Sequence, residues 1–197
     1  ASIGMASRSL HADENDLTAF TVAQDGIAMI VHRDNPVAVL SDDQVRAIYR
    51  GEVDNWSRLR GDDKAITVVN KAEGRSTLEL FLAHFQLDNR TVQADVVVGE
   101  NQQGIKAVAG DPAAIGYVSI GSAEYEAEAG TPIRLLPLRG VAASTGAVNQ
   151  KTYPLRRELN LITAGAPGDA QRAFIQFAGS PAVSDLYREH YFVPATR

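Results

Sequence analysis

The stretch Val68–Phe81, VVNKAEGRSTLELF, decides how this chain is read. A β-branched apolar run, Ala65–Val69, predicts a buried strand. It gives way to a polar loop holding Lys71, Gly74, Arg75, Ser76 and Thr77. Leu78, Leu80, Phe81, Leu82 and Phe85 then mark a helix. Such a strand–loop–helix junction presents backbone N–H groups at the positive end of the helix dipole, where anions bind. Gly74 lets the backbone approach a ligand closely. Ser76 and Thr77 add hydroxyl donors. Lys71 and Arg75 supply charge, and an arginine binds an oxyanion through two parallel hydrogen bonds. The GxxxxGK[ST] spacing of a Walker A loop is absent. The same residues also read as an ordinary capped helix with solvated charges.

Strand and helix signals alternate on both sides of this junction. Upstream, Ile27–Val31 is a continuous apolar run. Ser41 reads as an N-cap for a helix carrying Val45, Ile48 and Tyr49, ended by Gly51. Downstream, strands are predicted at 94–98, 115–119, 133–136 and 159–163. Asn101 reads as the cap of a helix carrying Ile105 and Val108. Two closing helices follow, one over 169–177 capped by Asp169 and one over 183–191 entered through Ser180–Pro181. Short connections between alternating elements predict an α/β fold with mostly parallel sheet and helices on both faces. The loop-rich stretch 140–154 reads as a crossing between two lobes. The opening segment, 1–10, is strand-like with no element before it.

The 197 residues allow one domain or two small lobes. Hydrophobic residues make up 45% and charged residues 22%, which supplies a core and excludes a wholly disordered chain. No apolar run approaches the roughly 18–20 residues that span a bilayer. No basic segment leads into an apolar one at the start, and a processed secreted chain would look the same. The net charge of −5 argues against a nucleic-acid partner, without excluding a small anion held by local donors. The absence of cysteine removes disulfides, thiolate metal sites and cysteine nucleophiles. The four histidines, at 11, 32, 84 and 190, lack the i, i+4 spacing of a helical zinc site.

Ser7 and Arg8 form a second candidate, because loops after the carboxyl ends of strands are where ligands bind in open α/β sheets. Asp42 and Asp43 read as charge at a helix start, Trp56 as packing beneath the loop 51–59, and Glu126 and Glu128 as a solvated face. Glu73 is the one carboxylate inside the main loop, and so the nearest acceptor for a proton carried by a ligand.

Several stretches, taken in order, resemble the phosphate-binding proteins of bacterial ABC importers, within the type-II periplasmic binding-protein fold. IGMASR (3–8) is similar to the family's strand and Ser-Arg loop. LSDDQVRAIYRGEVDNWSRL (40–59) resembles its helix and Gly…Asn-Trp turn, and VVNKAEGRSTLELF (68–81) its second phosphate loop. AVAGDPAAIGYVSIG (107–121), YPLRRELNLIT (153–163) and FIQFAGSPAVSDLYREHYFVP (174–194) resemble its later strands and closing helices. Two departures stand out. The family's first strand, its Gly-Ser-Thr-Thr-like loop and its second Gly-rich loop have no counterpart here. Lys71 stands where the family usually has arginine, and Arg75-Ser76 where it has Ser-Gly.

The resemblance implies two lobes, the first partial (1–31 with 141–197, including crossover strands) and the second 32–140. It implies a non-catalytic binder of phosphate or a similar tetrahedral oxyanion that serves a membrane ABC permease from a periplasmic or extracytoplasmic location. Ser7 and Arg8 would act from the first lobe, and Lys71, Gly74, Arg75, Ser76 and Thr77 from the second. No metal or organic cofactor is implied. The alternative is a truncated or diverged non-transport relative that senses an anion or acts as an interaction module, self-associating through a sheet edge left exposed by the missing strands.

Overall fold

The computed structural model describes residues 2–195. The outermost residues of the expected first lobe, Ala1 and Thr196–Arg197, lie outside it. The chain forms two compact units, one made of 2–25 with 156–195 and the other of Gly26–Leu155. Among the described residues, no helix is long and apolar enough to cross a membrane.

In the first unit, β1 (Gly4–Ala6) pairs antiparallel with the later strand Arg156–Ala164, placing Met5 opposite Leu161. The long strand β2 (Leu17–His32) contributes 17–25 here and 26–32 to the other unit. A small core of Val22, Leu161, Ile175 and Ala178 is flanked by Ile3, Phe20 and Tyr187. One charged pair belongs to this interior. Arg157 Nη2 lies 2.7 Å from Asp25 Oδ2, with side chains 8% and 1% exposed. The loop after β1 is tied locally: Arg8 donates in a fork to Glu14 at 2.7 and 2.8 Å, and the His11 N–H donates to the same carboxylate at 2.7 Å.

The second unit carries the predicted alternation. Ser41 caps α1 (Asp42–Tyr49) and accepts from the Gln44 N–H, while the Gln44 side chain reaches back to the Ser41 N–H. A 3-10 turn at Trp56–Leu59 seats Trp56, 1% exposed, whose Nε1 donates to the Ala113 carbonyl at 2.8 Å. Then come β3 (Thr67–Lys71), α2 (Ser76–Phe85), β4 (Val96–Val98), α3 (Asn101–Ala109), β5 (Ala114–Ser119), α4 (Ile120–Glu128), β6 (Ile133–Leu135) and α5 (Thr145–Asn149). The first unit closes the chain with β7 (Arg156–Ala164), α6 (Asp169–Ala178), α7 (Ser184–Glu189) and β8 (Val193–Pro194). The second closing helix, expected over 183–191, starts one residue later because a 3-10 turn, Pro181–Val183, precedes it, and it ends at Glu189. The cap of α6 is Gly168, with Asp169 as its first residue.

The sheet is mixed. β3 pairs parallel with both β4 and β5, as the strand–helix–strand alternation requires. β2 instead runs antiparallel to β5, β6 and β8, and β1 antiparallel to β7. The reason is connectivity. β2 enters the second unit directly from the first, without a crossover helix, so no βαβ rule fixes its direction.

An aromatic cluster fills the second unit beside β3. Phe81 stacks on Tyr117 at 3.9 Å, and Tyr49 lies 4.7 Å from Phe81. All three are essentially buried. Burial pushes both tyrosine hydroxyls well above their usual range, so they remain neutral donors.

Two outcomes test this description of the first unit. Truncating Arg157 to alanine leaves the Asp25 carboxylate buried without its partner, a change that costs about 3–5 kcal/mol. Denaturant melts should show it, and a loss below about 1 kcal/mol would contradict the buried pair. The Arg8 fork, joined by the His11 N–H, holds the Glu14 carboxyl down at about 2. A folded value below the unfolded one means stabilisation that is complete above the ordinary glutamate range and lost as pH falls toward 2. A carbon-detected titration of Glu14 should give that low midpoint; an ordinary midpoint would mean the fork does not persist in solution.

Candidate oxyanion-binding site

The site is built at the carboxyl end of β3. Lys71, the last strand residue, is 2% exposed. Its backbone N–H donates to the Tyr117 hydroxyl at 3.3 Å, and that hydroxyl donates to Asn70 Oδ1 at 2.6 Å. Tyr49 donates to the Val69 carbonyl at 3.2 Å. The aromatic cluster therefore fixes the strand end by hydrogen bonds as well as by packing.

Gly74 turns the chain with φ +77°, in the left-handed region, and a Cβ built there meets nothing within 4 Å. The glycine is required by backbone conformation, on a side of the turn with open space. Helix α2 begins at Ser76. Its cap residue, Arg75, makes no side-chain cap bond, so the positive helix end is not closed by a carboxylate or hydroxyl from the cap position. Thr77 is 8% exposed and Ser76 half-buried.

A second helix start adjoins the first. Arg75 Nη1 forms an ion pair with Glu100 Oε1 at 2.9 Å, and both side chains are about half-exposed. A Cβ at Gly99 would stand 3.3 Å from Arg75 Nη2, so the guanidinium lies against the entry to α3. Asn101 does not cap α3. The cap is Glu100, and Gln103 Oε1 accepts from the N–H groups of Gly99 and Glu100 at 2.9 and 3.0 Å. With the helix entry satisfied by Gln103, the Asn101 amide is released for other bonds. Its Oδ1 accepts from Lys71 Nζ at 3.3 Å and from the Ser119 N–H at 3.5 Å. Glu73 is exposed and accepts from Asn89 Nδ2 at 3.1 Å.

The structure thus brings Lys71, Gly74, Arg75, Ser76 and Thr77 together in one unit, at the start of α2. Ser7 and Arg8 belong to the other unit. There Arg8 forks Glu14, while its backbone carbonyl accepts from Asn160 Nδ2 at 2.8 Å. Composition and spacing did not assign Glu100 to the site, and they favoured a capping role for Asn101 over reaching a ligand from the helix start. The E-x-x-Q pattern at 100–103 carries the signal that α3 starts one residue earlier than an Asn cap implies. The Arg75–Glu100 pair, 25 residues apart in sequence, has no local signal.

Chemically, the unit offers a fixed ammonium, a guanidinium, hydroxyls and a helix start around one strand end. This set suits a tetrahedral anion. Residues 1–182 match the PBP superfamily domain. The phosphate-binding protein PstS of Borreliella burgdorferi is 24% identical over 203 residues, covering 97% of this chain and 71% of the relative. The PstS of Bacillus subtilis is 24% identical over 185 residues, covering 93% of this chain and 60% of the relative. Among solved structures, a phosphate-bound putative phosphate ABC transporter substrate-binding protein from Clostridium perfringens superposes with a TM-score of 0.81. It is 27% identical and covers 98% of this chain and 79% of its own. An ABC-type phosphate transport receptor from Vibrio cholerae gives 0.82 at 29% identity, with 98% and 80% covered. With the profile match running through most of its length, and two such structures overlying nearly all of its described residues, the chain belongs to the PBP superfamily.

Proposed function

We propose that this chain binds inorganic phosphate, or a similar tetrahedral oxyanion, as the extracytoplasmic solute-binding component of an ABC importer. The observation that carries the reading is the junction of β3 and α2. There the buried Lys71 and the loop Gly74–Arg75–Ser76–Thr77 stand at a helix start whose cap residue, Arg75, makes no side-chain cap bond. The named relatives support the same ligand class. Desolvating a dianion is costly, so many fixed donors must replace its water. Backbone N–H groups at Ser76 and Thr77, their hydroxyls and two cations meet that need. Ser7 and Arg8 are proposed as further anion donors, with Arg8 exchanging Glu14 for the anion. The role is that of a binder, with delivery to a membrane permease.

A second reading, self-association, is favoured by β1. This strand stands at the end of the sheet order, and its Met5 is 86% exposed. An edge strand with an unpaired side is a template for a second copy.

Isothermal titration with phosphate tests the first reading. Replacing Thr77 with valine removes a hydroxyl at near-constant volume and should weaken binding about tenfold, in the range for hydrogen bonds to charged groups. The melting temperature should change little. Absence of phosphate, sulfate and arsenate binding by the unaltered chain would reject the function. For the second reading, sedimentation should show a concentration-dependent dimer that Met5→Lys abolishes, and a monomer at all concentrations would reject it.

A further inference from the structure

We infer that Asn101 is the positioning residue for Lys71, and that it governs oxyanion binding through that ammonium. The inference rests on the oxyanion-binding reading of the β3–α2 junction. Lysine carries its charge on a flexible four-carbon stem with three rotatable donors. A charge so built is useful in a binding site only if something fixes where it sits. Asn101 Oδ1, 3.3 Å from Lys71 Nζ, does this from the first residue of α3.

The same oxygen accepts from the Ser119 N–H at 3.5 Å. Lys71 and Ser119 are the last residues of β3 and β5, which pair in parallel. One amide oxygen therefore gathers two neighbouring strand ends and one helix start. Gly104, on the next turn of α3, makes the approach possible. A Cβ there would stand 3.1 Å from Val118 Cγ1, so the missing side chain lets α3 pack closely on β5, and the same position lies in ordinary contact range of Lys71 Nζ, 3.7 Å from where a Cβ would be.

The chemistry of the acceptor matters. An amide oxygen orients an ammonium without cancelling its charge, whereas a carboxylate in the same place would neutralise it before an anion arrived. The Asn101 contact itself therefore takes nothing from the attraction of Lys71 for an incoming anion, and a low-dielectric surrounding strengthens such an attraction. Arginine at position 71 would need less support, because its planar fork is pre-organised. Lysine at 71 and asparagine at 101 thus work as a matched pair.

The test is a double-mutant cycle on anion affinity, read by isothermal titration with phosphate and with sulfate, and accompanied by thermal melts. Asn101→Leu should lower affinity for both anions about tenfold in the Lys71 chain. In the Lys71→Arg background the same change should cost less than about threefold, because the fork carries its own orientation. Asn101→Ser is run through the same cycle, so that a folding defect in the leucine variant does not decide the result. Equal losses in the two backgrounds would overturn the inference and leave Asn101 as a tie between strand ends. So would loss of all binding in Lys71→Arg alone, since the account requires only a retained charge at 71. Failure of the unaltered chain to bind either anion would instead overturn the functional reading on which the inference rests.

Discussion

The Tyr117 hydroxyl is the point on which the binding unit turns. It accepts from the Lys71 N–H and donates to the Asn70 side chain, one position earlier on the same strand. The ring below it stacks on Phe81, from the helix that follows the loop. One residue of β5 therefore fixes both the end of β3 and the helix that leaves it. The loop between them inherits its geometry from these two anchors. Because burial holds the hydroxyl neutral, the bridge does not titrate within the physiological range.

From this anchor the rest of the site follows by short steps. The strand end delivers Lys71 into a buried position. Gly74 turns the chain in a conformation that other residues resist. Helix α2 then starts at Ser76, with Arg75 lying against the beginning of α3. Packing sets positions, hydrogen bonds set orientations, and the resulting field favours an anion. The first unit is built differently. Its core is a small apolar cluster, and its polar interior is organised by Asp25–Arg157 and by Thr21 donating to Asn160 at 2.8 Å.

Much of this was legible in the sequence, for physical reasons that can be named. The switch from a β-branched run to helical spacing after Lys71 is a change of period, and period is a local property. The capping box at Ser41 and the burial of Trp56 are likewise local consequences of residue type. Three features were not legible. The direction of β2 depends on which unit the chain arrives from, and no residue in the strand encodes it. Asn101 resembles a cap in isolation. Only the competition with Glu100 and Gln103 moves it into the helix and turns its amide toward Lys71. The pairings of Arg8 with Glu14 and of Arg75 with Glu100 depend on loop conformation, which carries no periodic signal.

The central claim is that an oxyanion binds at the start of α2 within reach of Lys71. The most direct measurement is a crystal structure of the chain grown with arsenate and recorded at the arsenic absorption edge, where the anomalous signal marks the anion independently of phases from the protein. The account predicts a single strong peak at the Gly74–Thr77 turn, within hydrogen-bond distance of the Thr77 hydroxyl and the Lys71 ammonium. A peak elsewhere, with that turn occupied only by water, would contradict it.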